Sequence, residues 1–268
     1  MNTVTDKPCA ISDAGSRLQN EDALYPQPET LSQRHRLFLV CDGVGGSAKG
    51  EVASALACES IQSYFSTFLE GDPTPAFVRK AVCYAESCFD NYIAAHPEAH
   101  GMATTLTLLY VGNGYALVAH AGDSRIYQFR EGSIRYRTED HSLVNSWVRL
   151  GRISREEMYS HPKRNVILKA IEGSSRPVDV EVQVLYDVKE GDDFFLCTDG
   201  VLEAVTEETL TGLFDGSRSA DDIKDHLVEA CSLRSRDNYS FYIVPVCNLH
   251  NSAAGLRQNL LSFFYSFV

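Results

Sequence analysis

No two cysteines in this 268-residue chain stand at C-x-x-C spacing. Cys9, Cys41, Cys58, Cys83, Cys88, Cys197, Cys231 and Cys247 are scattered, which argues against a cysteine-rich zinc site. Cys41 and Cys197 close apolar runs and read as small buried hydrophobes in a reducing compartment. No stretch approaches the ~20 apolar residues of a spanning helix. The N-terminus lacks the basic-then-apolar pattern of a secretory signal. These absences predict a cytoplasmic protein without stable membrane insertion. Basic residues are also few: 24 Lys and Arg against 36 Asp and Glu, a formal charge of -12. That balance argues against a nucleic-acid partner. It leaves an anionic substrate open, because bound divalent cations reverse the field inside one cleft. No serine sits in a G-x-S-x-G elbow, and no Gly-Lys-Ser/Thr follows the glycines at 43, 45 and 46. There is no internal repeat and no low-complexity linker.

What is present suits a soluble globular chain: 44% of residues are hydrophobic and 22% charged, enough to bury a full core. Residues 36–41 read as a buried strand closed by the turn-forming Asp42-Gly43. Apolar residues from Val52 to Leu69 recur at helical spacing, and a second stripe runs from Pro75 to Ala95. Residues 104–111 and 115–120 flank Gly112-Asn113-Gly114, a hairpin signal. Further strands are expected at 125–130, 134–138, 178–188, 193–198 and 240–246, with helices at 206–214 and 220–232. Pro245 is expected to put the last strand at a sheet edge or near its own end. Strands cluster in groups, so the pattern predicts an α+β fold of antiparallel sheets flanked by helices rather than a doubly wound sheet. The polar stretch 143–165 reads as an excursion beside the main body, and 248–268 as a tail of unassigned role.

Acidic residues gather at five points: Glu21-Asp22, Asp42-Gly43, Asp123 in Gly122–Arg125, Asp199-Gly200 and Asp237-Asn238. Asp42 and Asp199 each follow an apolar run and precede glycine, which puts a carboxylate at a sheet rim where the backbone turns. Hard cations such as Mg2+ or Mn2+ take such oxygen ligands. Carboxylates from distant segments suit two such ions ~3.5–4 Å apart, and a water bridging them would attack phosphorus as hydroxide. Each point alone is ordinary. Asp-Gly is commonly a turn, Arg125 an ion-pair partner, and His120 and His141 satisfied core or turn histidines. Trp147 reads as a packing residue.

Taken in order, the segments 12–23, 39–54, 102–111, 119–132, 138–144, 161–173, 195–205 and 236–246 resemble the metal-dependent protein phosphatases of type 2C, the PPM family, in its compact bacterial form. The resemblance implies two antiparallel sheets in a sandwich with helices on both outer faces (α-β-β-α), within a domain at 1–247. It implies a flap at about 144–165. It implies that Arg17 grips the substrate phosphate. The metal ligands would be Glu21, Asp22, Asp42, Gly43, Asp199 and Asp237, with Asp42 bridging two Mn2+ or Mg2+ ions and Gly43 lending its carbonyl. Asp123, with Asp199, would hold a third, weaker ion. The implied activity is hydrolysis of phosphoserine and phosphothreonine on proteins, reversing a cognate serine/threonine kinase. Two positions depart from the pattern. Val44 stands where animal members often carry a histidine proposed as general acid, and Ala103-Thr104-Thr105 replaces the usual Gly-Thr-Thr.

Overall fold

The computed structural model describes residues 3–44 and 49–248. In chain order its strands are β1 Thr3–Thr5, β2 Cys9–Asp13, β3 Asp22–Tyr25, β4 Leu37–Asp42, β5 Leu106–Val111 and β6 Ala116–Ala121. They continue with β7 Arg125–Arg130, β8 Ser133–Arg137, β9 Glu181–Leu185, β10 Asp192–Cys197 and β11 Tyr239–Asn248. The helices are α1 Gly50–Phe68, α2 Pro75–Ala95, α3 Leu143–Arg149, α4 Arg155–Ser160, α5 Asp199–Ala204, α6 Glu207–Leu213 and α7 Ala220–Arg234.

One sheet has the order β1-β11-β10-β7-β8, with β2 also paired to β11; the other has the order β3-β4-β5-β6-β9. All the pairings are antiparallel. The central strands are largely apolar because both of their faces are buried, with a few polar residues such as Thr107, His120, Gln128 and Ser240 also enclosed. In β4, Phe38 and Val40 enter the layer between the sheets, where they meet Phe194, Leu196, Tyr242 and Val244. Leu39 and Cys41 point the other way, against α1 and α2 through Ala57, Ile61 and Val82. Phe195, Cys197, Phe241 and Ile243 likewise face α5–α7 through Val201, Leu210 and Leu227. The result is four layers, helix–sheet–sheet–helix, as the sequence predicts. Each large apolar side chain taken wholly out of water here contributes about 1.5–3 kcal/mol.

Pro245 stands near the end of β11, and the strand is paired on both sides rather than lying at a sheet edge. Its residues 239–243 pair with β2 and 246–248 with β1, while β10 runs along its other side. Pro245 stands at the changeover, where the missing N–H disturbs no β1 or β2 pairing, and its carbonyl accepts from Asp6 N–H at 2.8 Å. Strand β9 is also shorter than the expected 178–188, and β1–β3 and α5 carry too few residues to leave a periodic signal. The tail expected at 248–268 lies, beyond Asn248, outside the described residues. All eight cysteines are free; Cys41, Cys58, Cys197 and Cys231 are buried and Cys83 is exposed. No helix among the described residues is long and apolar enough to cross a membrane.

Candidate active site

One rim of the sandwich collects the acidic points. β4 ends there at Asp42, in register with Asp22 at the start of β3. β6 crosses there from one sheet to the other through Gly122–Ser124 to reach β7. β10 ends at Cys197, opposite both Arg125 and Phe241, so Asp199 and Asp237 meet at the same rim. A cleft of about 730 Å³ opens over them, lined by Arg17, Glu21, Asp42, Gly43, Asp123, Asp199 and Asp237. Seven of the eight site residues expected from sequence therefore share one cleft. Asp22 stands behind that wall, where Thr198 Oγ1 donates to its Oδ2 at 3.1 Å.

Short polar contacts fix the backbone at each point. The Asp42 N–H donates to Thr105 Oγ1 at 3.0 Å, and its carbonyl accepts from Thr105 N–H at 2.8 Å and Thr104 Oγ1 at 2.9 Å. Thr105 Oγ1 also meets Ser124 Oγ at 2.8 Å, which ties Asp42 to the turn that carries Asp123. Gly43 is required: a Cβ there would run into the carbonyls of Gly50 and Glu21. Gly122 has φ +107° and lies against Thr105, a conformation and a clearance that suit glycine. Asn238 Oδ1 accepts the Glu21 N–H at 2.9 Å, and its Nδ2 donates to the carbonyls of Ala14 and Gln19, both at 2.9 Å. Sequence reasoning assigned no role to Thr105, Thr198 or Asn238; they sit beside acidic residues in the same motifs and act through them.

The carboxylates crowd against one another. Burial, then the neighbouring acids, holds the Asp42 carboxyl well above the usual range. Burial first and Asp199 next among the raising causes push Asp123 to about 8 and Asp22 to about 7. Asp199 rises to about 6 through burial and then Asp237. Asp22 Oδ1 and Asp123 Oδ1 are buried with no hydrogen-bond partner. Buried unpaired acceptors are costly. A hard oxygen-only donor set with two orphaned carboxylate oxygens therefore fits divalent cations. Arg17 projects at the rim, where its Nη2 pairs with Asp237 Oδ2 at 2.8 Å.

A separate trio, His120, His141 and Glu181, has donor atoms within 4.8 Å of one another. The two imidazoles stack at 4.4 Å and 7°, so their in-plane lone pairs run side by side instead of converging on one ion. Burial keeps both neutral, with His141 lowered to about 4. His120 Nε2 meets the Glu139 carbonyl at 2.9 Å, and the Gly122 N–H donates to His141 Nδ1 at 3.3 Å. They are satisfied core histidines, as read from sequence. Trp147 packs edge-on against His161 at 5.1 Å.

The sequence model of the family described as "Protein phosphatase 2C" matches residues 12–232. The chain belongs to the protein phosphatase 2C family. It is 36% identical over 204 residues to the serine/threonine protein phosphatase PstP of Mycobacterium tuberculosis, covering 75% of this chain and 37% of that protein. The chain thus spans little more than a third of that relative's length. It is 29% identical over 212 residues to the serine/threonine phosphatase stp of Listeria welshimeri, covering 78% of this chain and 83% of that one. A crystal structure of Stp1 from Staphylococcus aureus superposes with a TM-score of 0.81 at 28% identity, covering 92% and 98% of the two chains. The catalytic domain of PstP in complex with two manganese ions superposes at 0.77 and 28% identity, covering 92% and 100%. These neighbours share the two-sheet phosphatase fold described above.

The raised pKa values of the crowded carboxylates give a testable sign. A folded carboxyl raised above its unfolded value near 4 binds protons that the unfolded chain releases, so stability falls as pH rises between those values. Chelator-treated protein is expected to melt at a lower temperature at pH 8 than at pH 5.5. Millimolar Mn2+ should restore the loss at pH 8. Differential scanning calorimetry checks this; a melting temperature that rises with pH in chelator would contradict it.

Proposed function

We propose that this chain is a cytoplasmic phosphatase that removes phosphate from phosphoserine and phosphothreonine side chains of proteins, opposing a cognate serine/threonine kinase. The observation that supports it best is the convergence of Glu21, Asp22, Asp42, Asp123, Asp199 and Asp237 on one rim, with two carboxylate oxygens left orphaned. Glu21, Asp22, Asp42, Asp199, Asp237 and the Gly43 carbonyl would together hold two Mn2+ or Mg2+ ions. Asp123 and Asp199 would hold a third. Bound there, such ions polarise phosphoryl oxygens and make a ligated water acidic.

The chain's own residues then bind and orient. Arg17 stands 58% exposed at the cleft mouth and is held through its Nε by the Arg236 carbonyl at 3.3 Å. A guanidinium engages two phosphate oxygens at once, and an incoming phosphate dianion competes with Asp237 for this one. Val44 lines the cleft and has no proton to give, so the leaving oxygen takes its proton from solvent or another group.

Phosphate release from a phosphothreonine peptide with and without Mn2+ tests the reading. No release at any Mn2+ concentration would overturn it. In the same assay Arg17→Ala should raise the peptide KM by roughly 10-fold, the cost of a charge-assisted pair, with Mn2+ activation unchanged. A normal KM would remove Arg17 from the phosphate.

A further inference from the structure

The metal cleft runs into a second cavity of about 690 Å³, and Asp123, Asn165 and Asp199 line both. Its walls come from the start of α3, the segment after α4, the α5–α6 region and the end of α7. Most of its charges cancel in place. Arg125 forks onto both oxygens of Asp140 at 2.6 and 2.7 Å. Glu207 pairs with Arg137 at 2.6 Å. Glu203 faces Arg164 at 3.5 Å and accepts the Arg236 N–H at 3.1 Å.

Two cations are left over. Arg234 reaches only a neutral group, the Ala204 carbonyl at 3.3 Å. The Arg236 carbonyl accepts from Ser16 Oγ at 2.7 Å and from Arg17 Nε, so its backbone is pinned at both ends beside Asp237. Among the described residues neither guanidinium is in an ion pair, although the chain carries a formal charge of -12. Apolar Val144, Leu202 and Val205 line the same cavity. Guanidiniums without ion-pair partners beside apolar walls, in a cavity that shares residues with the hydrolytic cleft, suit a side chain with a methylene stem and an anionic head.

We propose that this cavity is a substrate subsite for a second anionic side chain, an acidic residue or another phosphoresidue within about three residues of the one being hydrolysed, a reach of roughly 10 Å. Arg234 and Arg236 recognise the charge. The inference rests on the phosphatase reading, which names the phosphoresidue that occupies the first cleft.

The test uses the full chain with Mn2+ and three phosphothreonine peptide designs. One carries glutamates on either flank, one a second phosphothreonine, and one glutamines at the same places. The wild type should show a kcat/KM about 10-fold higher on the anionic peptides than on the glutamine peptide. That ratio should fall toward 1 between 50 and 500 mM salt, as exposed ion pairs are screened. Arg234→Gln with Arg236→Gln, which keeps the backbone contacts, should abolish the preference; lysine at both places should retain part of it. The glutamate and diphospho arms tell which anion is preferred. A wild-type ratio near 1 overturns the proposal without any variant, as does a preference that survives the double substitution. Hydrolysis of a small aryl phosphate is measured alongside. Aryl phosphate turnover with no anionic preference sinks this inference alone, whereas absence of all Mn2+-dependent turnover sinks the phosphatase reading beneath it.

Discussion

Asp42→Asn is expected to lower turnover on a phosphothreonine peptide by at least ~100-fold while the protein stays folded. The side chain is half-buried in the cleft wall, with Asp22, Asp199, Asp123 and Asp237 acting on it electrostatically. Its backbone is held by Thr104 and Thr105 on one side and paired with Asp22 on the other, so no neighbouring carboxylate can swing into its place. Asparagine keeps the volume and an oxygen acceptor but removes the charge and one bridging oxygen. In chelator, burial and the neighbouring acids raise the wild-type carboxyl and disfavour its charge, so the uncharged amide relieves that crowding and the variant should melt at or above the wild-type temperature. Steady-state kinetics with a Mn2+ titration, and calorimetry in chelator, check the two halves. A near-normal kcat would remove Asp42 from the site. An unfolded variant would show that the carboxylate holds the fold rather than the ions.

That separation of fold from site follows from how each was written in the sequence. Strands β4, β10 and β11 are legible because both faces are buried, so hydrophobicity is continuous. Helices α1 and α2 are legible because one stripe faces a sheet. The short strands β1–β3 are not: they hold few residues, and β3 is specified by its pairing with β4 rather than by its own pattern. Helix α5 is hidden in the same way: six residues are too few to show a helical stripe, and packing against α7 and β11 holds them. The 144–165 segment appears in sequence only as a polar excursion. Two serine caps make it helical, Ser142 at α3 and Ser154 at α4, the latter in a reciprocal capping box with Glu157. The site carboxylates are individually ordinary: Asp42 and Asp199 before glycine, Asp237 before asparagine, Asp123 in a turn and Glu21-Asp22 at a strand start. Only the antiparallel register, which no local pattern specifies, brings them to one rim. Resemblance to a known order of motifs supplied what periodicity could not. The supporting polar groups stayed out of sight because a threonine or asparagine beside an aspartate has no spacing signature of its own.

Asp123 is the acidic residue for which an ordinary turn role is the strongest alternative, and the two roles differ in measurable ways. A turn-holding aspartate accepts hydrogen bonds from the residues that follow it. Here other groups hold the turn: the His141 N–H donates to the Gly122 carbonyl at 2.8 Å, His141 Nδ1 accepts from Gly122 N–H, and Ser124 Oγ meets Thr105 Oγ1. Asp123 Oδ1 has no partner although the residue is only 7% exposed. Removing that carboxylate takes away a buried charge-bearing group and breaks none of these bonds. Asp123→Ala is therefore expected to keep near-normal stability, to melt no lower than wild type in chelator at pH 8, and to keep both core cations. Turnover should nevertheless fall by roughly 10- to 100-fold, because a cation shared with Asp199 would orient water beside the leaving oxygen, and Val44 offers no proton there. Calorimetric Mn2+ titration should lose the weakest binding step and retain the others. Single-turnover kinetics should place the loss in the chemical step. Normal turnover at saturating Mn2+ would assign Asp123 to the turn after all, and a loss of about 1 kcal/mol in stability with turnover intact would say the same from the other side.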